Sequence, residues 1–303
     1  MATIYTPTQS VKTFDGTIIR YIQAGPPTGP VIILIPGWTQ TATQFQKQIA
    51  YFSKKYNVIS YDHRGQGESD KPESGYQIAR FAADLNDLLR HLDLKDVTLL
   101  GHSMGCSVIW AYWSLVFNSQ ERIQNLVLVD QSACMTADPS WSAEEAMAVA
   151  AVFKVEVLQQ MTAGLRGPDA LTMFTRLLRS FFTPGIEEED FQYMLQQNLK
   201  MSFENAATLL ADHAEHDWTG VLPTIYVPTL VIGAEASVFG MRYIAEQIPG
   251  AELRIFSKEE KGNHFMFWEN PELFNHVVAD FLERLQEWRE LIGPNLSFDD
   301  GQQ

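Results

Sequence analysis

One short segment of the chain, GHSMG at residues 101–105, has the residue types and spacing of a reactive serine turn. It follows an apolar run at residues 97–100 and precedes a helical pattern of apolar residues, so Ser103 is predicted to lie where a strand turns into a helix. Gly101 and Gly105 leave room for the strand and the helix to approach closely at such a turn. The pattern therefore predicts a serine nucleophile held above the carboxyl edge of a sheet.

A serine hydroxyl needs a neutral imidazole to accept its proton, and His264 is the candidate base. It lies in the sequence GNHF, after the last predicted strand at residues 253–256 and before a C-terminal helical pattern that begins at Pro271. A loop at that place reaches the carboxyl edge of a parallel sheet. None of the other histidines has this placement, so we expect Ser103 and His264 to come within hydrogen-bond reach.

The sequence gives no sign of a metal or nucleotide site. His213 and His216 lie three residues apart on a predicted helix without further ligands, and we expect a solvated helix face there rather than a metal site. No G-x-G-x-x-G or P-loop motif occurs. We therefore predict chemistry that uses neither a metal nor a cofactor.

The elements that must position Ser103 and His264 form an alternating pattern of short β-branched runs and amphipathic helices, which is typical of a parallel sheet covered on both faces. An edge hairpin strand is predicted at residues 17–23, and buried central strands at residues 31–35, 58–61, 97–100, 126–129, 229–232 and 253–256. Helices are predicted at residues 43–52, 80–92, 104–116, 236–247 and 271–288.

The strand pattern stops between residues 134 and 222, where helices are predicted at residues 143–162, 170–182, 188–201 and 203–213. We therefore predict a core at residues 1–133 and 223–292, a helical cap at 134–222 and a loosely ordered acidic tail at 293–303. The cap is rich in Met and Phe, which indicates a hydrophobic or aromatic small-molecule substrate without assigning any single contact. These residues include Met147, Met161, Met173, Phe174, Phe181, Phe182 and Met194.

Composition excludes several classes of partner. The chain has 22 basic and 37 acidic residues and a net charge of -15, which disfavours nucleic acid and anionic membrane surfaces. No apolar run approaches the roughly 20 residues of a membrane-spanning helix. Cys106 and Cys134 form no zinc or disulfide framework, and the N-terminal sequence MATIYTPTQSVK lacks a signal-peptide pattern. We expect a cytoplasmic protein and make no prediction of its oligomeric state.

Several motifs together resemble the α/β-hydrolase superfamily, over about residues 11–285. Besides GHSMG, they are IPGW at 35–38, YDHRGQGES at 61–69, LVLVD at 126–130, GNHF at 262–265 and ENPE at 269–272. The resemblance implies an α/β-hydrolase fold with a mostly parallel sheet, helices on both faces and an inserted helical cap. It also implies that His102 and the turn DHRG at 62–65 are structural.

The resemblance further implies an oxyanion hole formed by the backbone N–H groups of Trp38 and Met104. Many members of the superfamily have His-Gly where this chain has Pro36-Gly37, so a side chain that often braces the loop is missing. Two interpretations of the Trp38 side chain stay open: it walls a pocket, or it is a core aromatic residue.

The acid that orients His264 has two candidates. In the commonest arrangement of the superfamily it follows the strand at 229–232, but the aligned position here is Ser237, which cannot stabilise an imidazolium as a carboxylate does. We favour Asp130, which directly ends the apolar strand at 126–129, because some lactonases and cofactor-free dioxygenases carry the acid there. Glu235 is the alternative acid.

The resemblance specifies the fold better than the activity, because the superfamily includes esterases, lactonases, haloperoxidase-like enzymes and cofactor-independent dioxygenases. The leading hypothesis is hydrolysis of an ester or lactone through an acyl-enzyme on Ser103. A cofactor-independent dioxygenase that uses only His264 and Asp130, or a haloperoxidase-like side activity, is the alternative. A non-enzymatic ligand sensor is the third possibility.

Overall fold

The computed structural model describes residues 5–292, so the predicted acidic tail at 293–303 lies outside the described residues. The strands are β1 (Gln9–Lys12), β2 (Ile18–Ala24), β3 (Val31–Ile35), β4 (Asn57–Tyr61), β5 (Val97–His102), β6 (Ile123–Val129), β7 (Thr229–Ala234) and β8 (Glu252–Phe256). They form one sheet in the order β1-β2-β4-β3-β5-β6-β7-β8. The pairs β1–β2 and β2–β4 are antiparallel, and the other neighbours are parallel.

The helices fall into two groups. Those that flank the sheet are α1 (Gln46–Phe52), α2 (Ile78–His91), α3 (Met104–Leu115), α9 (Met241–Gln247), α10 (Met266–Glu269) and α11 (Pro271–Ile292). Those between β6 and β7 are α4 (Ala143–Ala148), α5 (Val155–Leu165), α6 (Ala170–Ser180), α7 (Glu188–Asn198) and α8 (Phe203–Glu215). We refer to the α4–α8 segment as the helical insert.

The sheet separates two hydrophobic clusters, one on each face. Strands β3 to β7 are buried almost throughout, as parallel strands covered by helices must be. Side chains along β3 point alternately to the two faces of the sheet. Ile33 and Ile35 pack in the cluster that includes helices α2, α3 and α9. Ile32 and Leu34 pack in the cluster that includes α1 and α11. The predicted mostly parallel α/β architecture with helices is confirmed.

Two strand predictions are wrong in their details. The strand at 253–256 was expected to be buried, but β8 is the last strand of the sheet and Leu253 is 38% exposed. The predicted edge strand at 17–23 is β2, which has β1 on its outer side.

Two helix predictions also differ. The helix predicted at 143–162 is divided into α4 and α5, because Ala150 adopts a positive φ of 53° between them. The helix predicted from residue 236 begins only at Met241, since Ser237 Oγ accepts the Phe239 amide at 3.3 Å and holds a turn there.

The division into core, cap and tail stays a prediction, although helices do occupy the chain between β6 and β7. Among the described residues, every helix is too short or too polar to cross a membrane.

Gly105 allows the closest approach at the start of α3. A Cβ at this position would lie 2.3 Å from the carbonyl oxygen of Ile35, and one at Gly101 would lie 2.7 Å from the carbonyl carbon of Gly105. Both obstacles are backbone atoms, which cannot move aside without displacing a strand or the helix. The two glycines of GHSMG therefore set the distance between β3, β5 and α3.

Replacing Gly105 by Ala is expected to lower the free energy of unfolding by about 2–3 kcal/mol, because the added methyl group overpacks a rigid contact. Urea denaturation of the purified variants measures this change. Gly220→Ala is the matched control: a Cβ there meets no atom within 4 Å, and its effect should stay within about 0.5 kcal/mol. Equal effects of the two substitutions would contradict the close-approach argument.

Candidate active site

The carboxyl ends of five strands bring the candidate residues to one edge of the sheet. Ser103 follows β5, and Asp130 follows β6. Trp38 lies in the loop after β3, Ser237 in the loop after β7 and His264 in the loop after β8. Parallel strands place their carboxyl ends together, which is why residues so far apart in sequence meet here.

Ser103 lies in a strained turn. Its backbone has φ 55° and ψ −130°, and its amide donates a hydrogen bond to the carbonyl oxygen of Val129 at 2.8 Å. This conformation is costly for a residue with a Cβ and is found where the surrounding structure enforces it. Met104 opens α3, so its amide has no acceptor within the helix and is available to a developing negative charge.

His264 and Asp130 form a buried pair. His264 Nδ1 lies 2.6 Å from Asp130 Oδ2, and the two residues are 3% and 0% exposed. Glu235 takes no part in this contact: it is exposed, and its carboxylate accepts the Lys258 amide at 3.1 Å. Of the two acids considered from sequence, the structure brings Asp130 to the histidine.

The surroundings of this pair disfavour charge on either group. The ring of Phe181 lies 4.8 Å from the His264 ring and that of Phe239 lies 5.1 Å away, and this burial lowers the pKa of His264. Burial likewise raises the pKa of Asp130, and the Ser237 hydroxyl, which donates to Asp130 Oδ2 at 2.7 Å, opposes that rise. His264 is therefore neutral at pH 7, as a general base must be.

Ser103 and His264 line the same cavity, but among the described residues no hydrogen bond joins Ser103 Oγ to His264 Nε2. His264 Nε2 also forms no hydrogen bond with any other described residue. Bonds between catalytic groups are often long before substrate binds and tighten on binding. Direct contact between the two residues stays a prediction.

Gln40 and two histidines brace the loop after β3, in place of the side chain missing at Pro36. Gln40 Oε1 accepts the Gly37 amide at 2.8 Å, and His63 Nε2 lies 3.0 Å from the carbonyl oxygen of Pro36. The ring nitrogens of His102 lie 2.9 Å from Gln40 Oε1 and 2.8 Å from the carbonyl oxygen of His264. His102 thus links this loop to the loop that carries His264.

The loop after β3 packs directly on the serine turn, since a Cβ on Gly37 would lie 2.9 Å from Ser103 Cβ. Trp38 is half-buried and lines the cavity, so its side chain is a pocket wall. Its indole N–H donates to the carbonyl oxygen of Ala206 in α8 at 2.8 Å, and its ring contacts Phe174 edge-on at 5.7 Å. Trp38 therefore joins the loop to the helical insert.

The cavity has a volume of about 530 Å³ and lies between the sheet edge and the insert. Met161, Phe174 and Phe181 line it, whereas Met147 is 79% exposed on the outside of the insert. Neither Lys, Arg, Asp nor Glu is among the described residues that line the cavity. The site is thus suited to an uncharged and largely apolar molecule.

The expectation of a solvated helix face at His213 and His216 is wrong for His213. This side chain is 3% exposed and lines the cavity, because α8 turns it inward together with Leu210, three residues earlier. His216 lies nearer the surface, with Nε2 3.3 Å from Asp212 Oδ2. Within residues 5–292 no group of three or more His, Cys, Asp or Glu side chains could hold a metal ion.

The turn at 62–65 braces loops. Asp62 accepts the amides of Ala42 and Glu68, both at 2.7 Å. Arg64 is buried against Asp84, with its Nε 2.6 Å from the carboxylate. These contacts hold the segment that carries His63 against the loop after β3.

Sequence reasoning missed the roles of Gln40 and His213 and the contact made by Ser237. Ser237 had a usable signal, because it occupies the position where the superfamily most often carries an acid. Gln40 and His213 had none, since Gln40 contacts His102, 62 positions away, and His213 lines a cavity whose other walls come from distant parts of the chain.

Comparison with known proteins identifies the family. A model of the alpha/beta hydrolase fold matches residues 30–271. The chain is similar to 3-oxoadipate enol-lactonase 2 of Acinetobacter baylyi, with 29% identity over 90% of this chain and 96% of that protein. Among solved structures it is similar to a bromoperoxidase from Bacillus anthracis, with a TM-score of 0.81, 23% identity and coverage of 91% and 99%. An esterase from Exiguobacterium antarcticum matches with a TM-score of 0.80, 23% identity and the same coverage. The family match, the sheet order and the site at its carboxyl edge agree: this chain belongs to the alpha/beta hydrolase family and is an enzyme of that fold.

Proposed function

We propose that this enzyme hydrolyses an ester or lactone of an uncharged hydrophobic or aromatic small molecule, with Ser103 as nucleophile, His264 as base and Asp130 as the orienting acid. The observation that carries the proposal is the 2.6 Å contact between His264 Nδ1 and Asp130 Oδ2 beside a strained serine turn on the same cavity. The contact fixes the imidazole with Nδ1 toward the carboxylate and leaves Nε2 for a proton from substrate or serine.

The proposed reaction has two steps, formation of an acyl-enzyme and its hydrolysis. His264 Nε2 takes the proton of Ser103 while Oγ bonds to the carbonyl carbon of the substrate. The backbone N–H groups of Trp38 and Met104 stabilise the oxyanion that forms. The carbon–oxygen bond to the leaving group then breaks, and His264 returns the proton to that oxygen. His264 then takes a proton from water as the water oxygen attacks the acyl carbon, and it returns that proton to Ser103 Oγ as the ester bond to the serine breaks and the carboxylic acid leaves.

The substrate class rests on the cavity. Aromatic and aliphatic side chains form its walls, and a carboxylate entering it would meet no cationic side chain among the described lining residues. The name of the Acinetobacter baylyi relative, an enol-lactonase, supports a lactone, which is a cyclic ester, as the reacting group.

A second candidate is a cofactor-independent dioxygenase, favoured by one observation: His264 is bonded to Asp130 but not to Ser103. In that reaction His264 takes the proton of a heteroaromatic hydroxyl, and the resulting anion reacts directly with O₂. The serine is then dispensable. Oxygen uptake by Ser103→Ala with a hydroxyquinolone, in the presence of a chelator, would favour this candidate over the hydrolase.

Ser103→Ala is expected to lower kcat/KM for a p-nitrophenyl ester by at least about 10³-fold, because no other group supplies the nucleophile. A fluorophosphonate probe should label the wild-type enzyme on the peptide that contains Ser103 and leave the variant unlabelled. Ester hydrolysis that survives the substitution would exclude an acyl-enzyme on this residue.

Asp130→Asn is expected to lower kcat by about 10²–10⁴-fold, since an amide cannot stabilise the imidazolium that forms on His264. Glu235→Gln is the matched control and should stay within about twofold, because the Glu235 carboxylate is exposed and bonds the Lys258 amide instead. Steady-state kinetics on one ester compare the two variants. The reverse order of effects would assign the acid to Glu235.

Ser237→Ala is expected to move the acid limb of the pH profile of kcat/KM to higher pH. Burial raises the pKa of Asp130 and the Ser237 hydroxyl counteracts it, so loss of the hydroxyl raises that pKa further. Activity needs ionised Asp130 and falls as the pH drops through its pKa, and the fall therefore begins at a higher pH in the variant. Ser237→Thr, which keeps the hydroxyl, should restore the wild-type limb; identical profiles for all three proteins would remove Ser237 from this positioning role.

A further inference from the structure

His213 is a buried polar residue that the proposed chemistry does not use. It lies near the end of α8, 3% exposed, and lines the cavity together with Leu210 of the same helix face. The rings in contact with His264 are those of His102, Phe265, Phe181 and Phe239, so His213 stands apart from the reacting groups.

The imidazole of His213 has no hydrogen-bond partner among the described residues. Its Nδ1 is fully buried and unpaired. The carboxylate of the preceding residue, Asp212, already accepts the Ile78 amide at 2.7 Å and contacts His216 at 3.3 Å. The large majority of buried polar side-chain atoms in folded proteins are paired, and an imidazole that lines a cavity without a protein partner can take one from a molecule bound there.

Other polar side chains of the cavity wall are satisfied by the protein. Thr39 donates to Asn198 Oδ1 at 2.7 Å, and Asn198 Nδ2 donates to the carbonyl oxygen of Met194 at 2.7 Å. Ser180 Oγ donates to the carbonyl oxygen of Leu177 at 2.6 Å. His213 differs from these three, because its imidazole lines the cavity and forms no hydrogen bond with the described residues.

Burial also fixes the kind of group that His213 can bind. It lowers the pKa of His213 to about 3, so the ring is neutral and offers one N–H donor and one acceptor nitrogen. A neutral imidazole among apolar walls matches an uncharged carbonyl or hydroxyl. It cannot offset the desolvation of a carboxylate as a cation would.

We propose that His213 binds a carbonyl or hydroxyl group of the substrate at a distance from the ester or lactone carbonyl, and so selects substrates that carry a second, uncharged polar group. This inference rests on the proposed hydrolase function. It adds a directional contact to a cavity whose shape alone would accept many apolar esters.

The test uses p-nitrophenyl esters of straight-chain acids that carry one oxo group at successive positions, each paired with its parent ester that has CH₂ at that position. The measured quantity is the ratio of kcat/KM for the oxo ester to that for its parent. The wild-type enzyme should show its highest ratio for one position of the oxo group. The His213→Leu variant should still hydrolyse the parent ester, but its ratio at that position should be about 10-fold lower. His213→Asn, which keeps an N–H donor, should recover part of the preference.

His216→Leu is the matched control. It removes the histidine three residues further along the chain, which does not line the cavity, and should leave the ratio of kcat/KM values unchanged. The same ester pairs are measured by calorimetric binding to Ser103→Ala with and without His213→Leu, which requires no turnover. An oxo preference that is the same with and without the imidazole, in kinetics and in binding, would overturn the proposal. A different result would count against the hydrolase function and not against the subsite. In that case the wild-type protein prefers to bind the oxo esters, and the preference depends on His213, but the protein neither hydrolyses them nor reacts with a fluorophosphonate.

Discussion

The buried contact between Asp130 and His264 is the interaction on which the site depends. The two residues are 134 positions apart and meet only because β6, β7 and β8 are parallel neighbours whose carboxyl ends lie together. A carboxylate with no exposed surface is costly unless it is paired, and here the imidazole and the Ser237 hydroxyl are its partners. Loss of either neighbour would leave the acid with fewer partners in the core and raise its pKa further. The sheet order and the electrostatics of the site therefore depend on each other.

The helical insert completes this environment. Phe181 comes from the end of the insert helix α6 and lies against the His264 ring, which removes water from one side of the imidazole. The pKa of His264 is thus lowered partly by a residue outside the sheet and its loops. The lining of the cavity and the basicity of the histidine therefore depend on the same helices.

Local sequence was sufficient for the features that depend on neighbours in the chain. The strands β3 to β7 could be placed from their apolar runs, and Ser103 from glycines whose role is steric and local. Asp130 could be proposed because it directly ends an apolar strand, where some members of the superfamily carry the acid. The exposure of β8 and the burial of His213 could not be predicted, since an apolar or amphipathic pattern does not reveal which strand is last in the sheet or which helix face meets the core.

The hydrogen bond from the Trp38 indole to Ala206 has a mechanical consequence. The backbone of Trp38 supplies a proposed oxyanion donor, while its side chain is fastened to α8 of the insert. A displacement of α8 that widened the mouth of the cavity would pull on the same residue that must hold still for the tetrahedral intermediate. In the proposed mechanism, admission of a molecule and stabilisation of its negative oxygen are therefore opposed demands on one tryptophan, and the Trp38 backbone N–H is correctly placed only when α8 is packed against the loop.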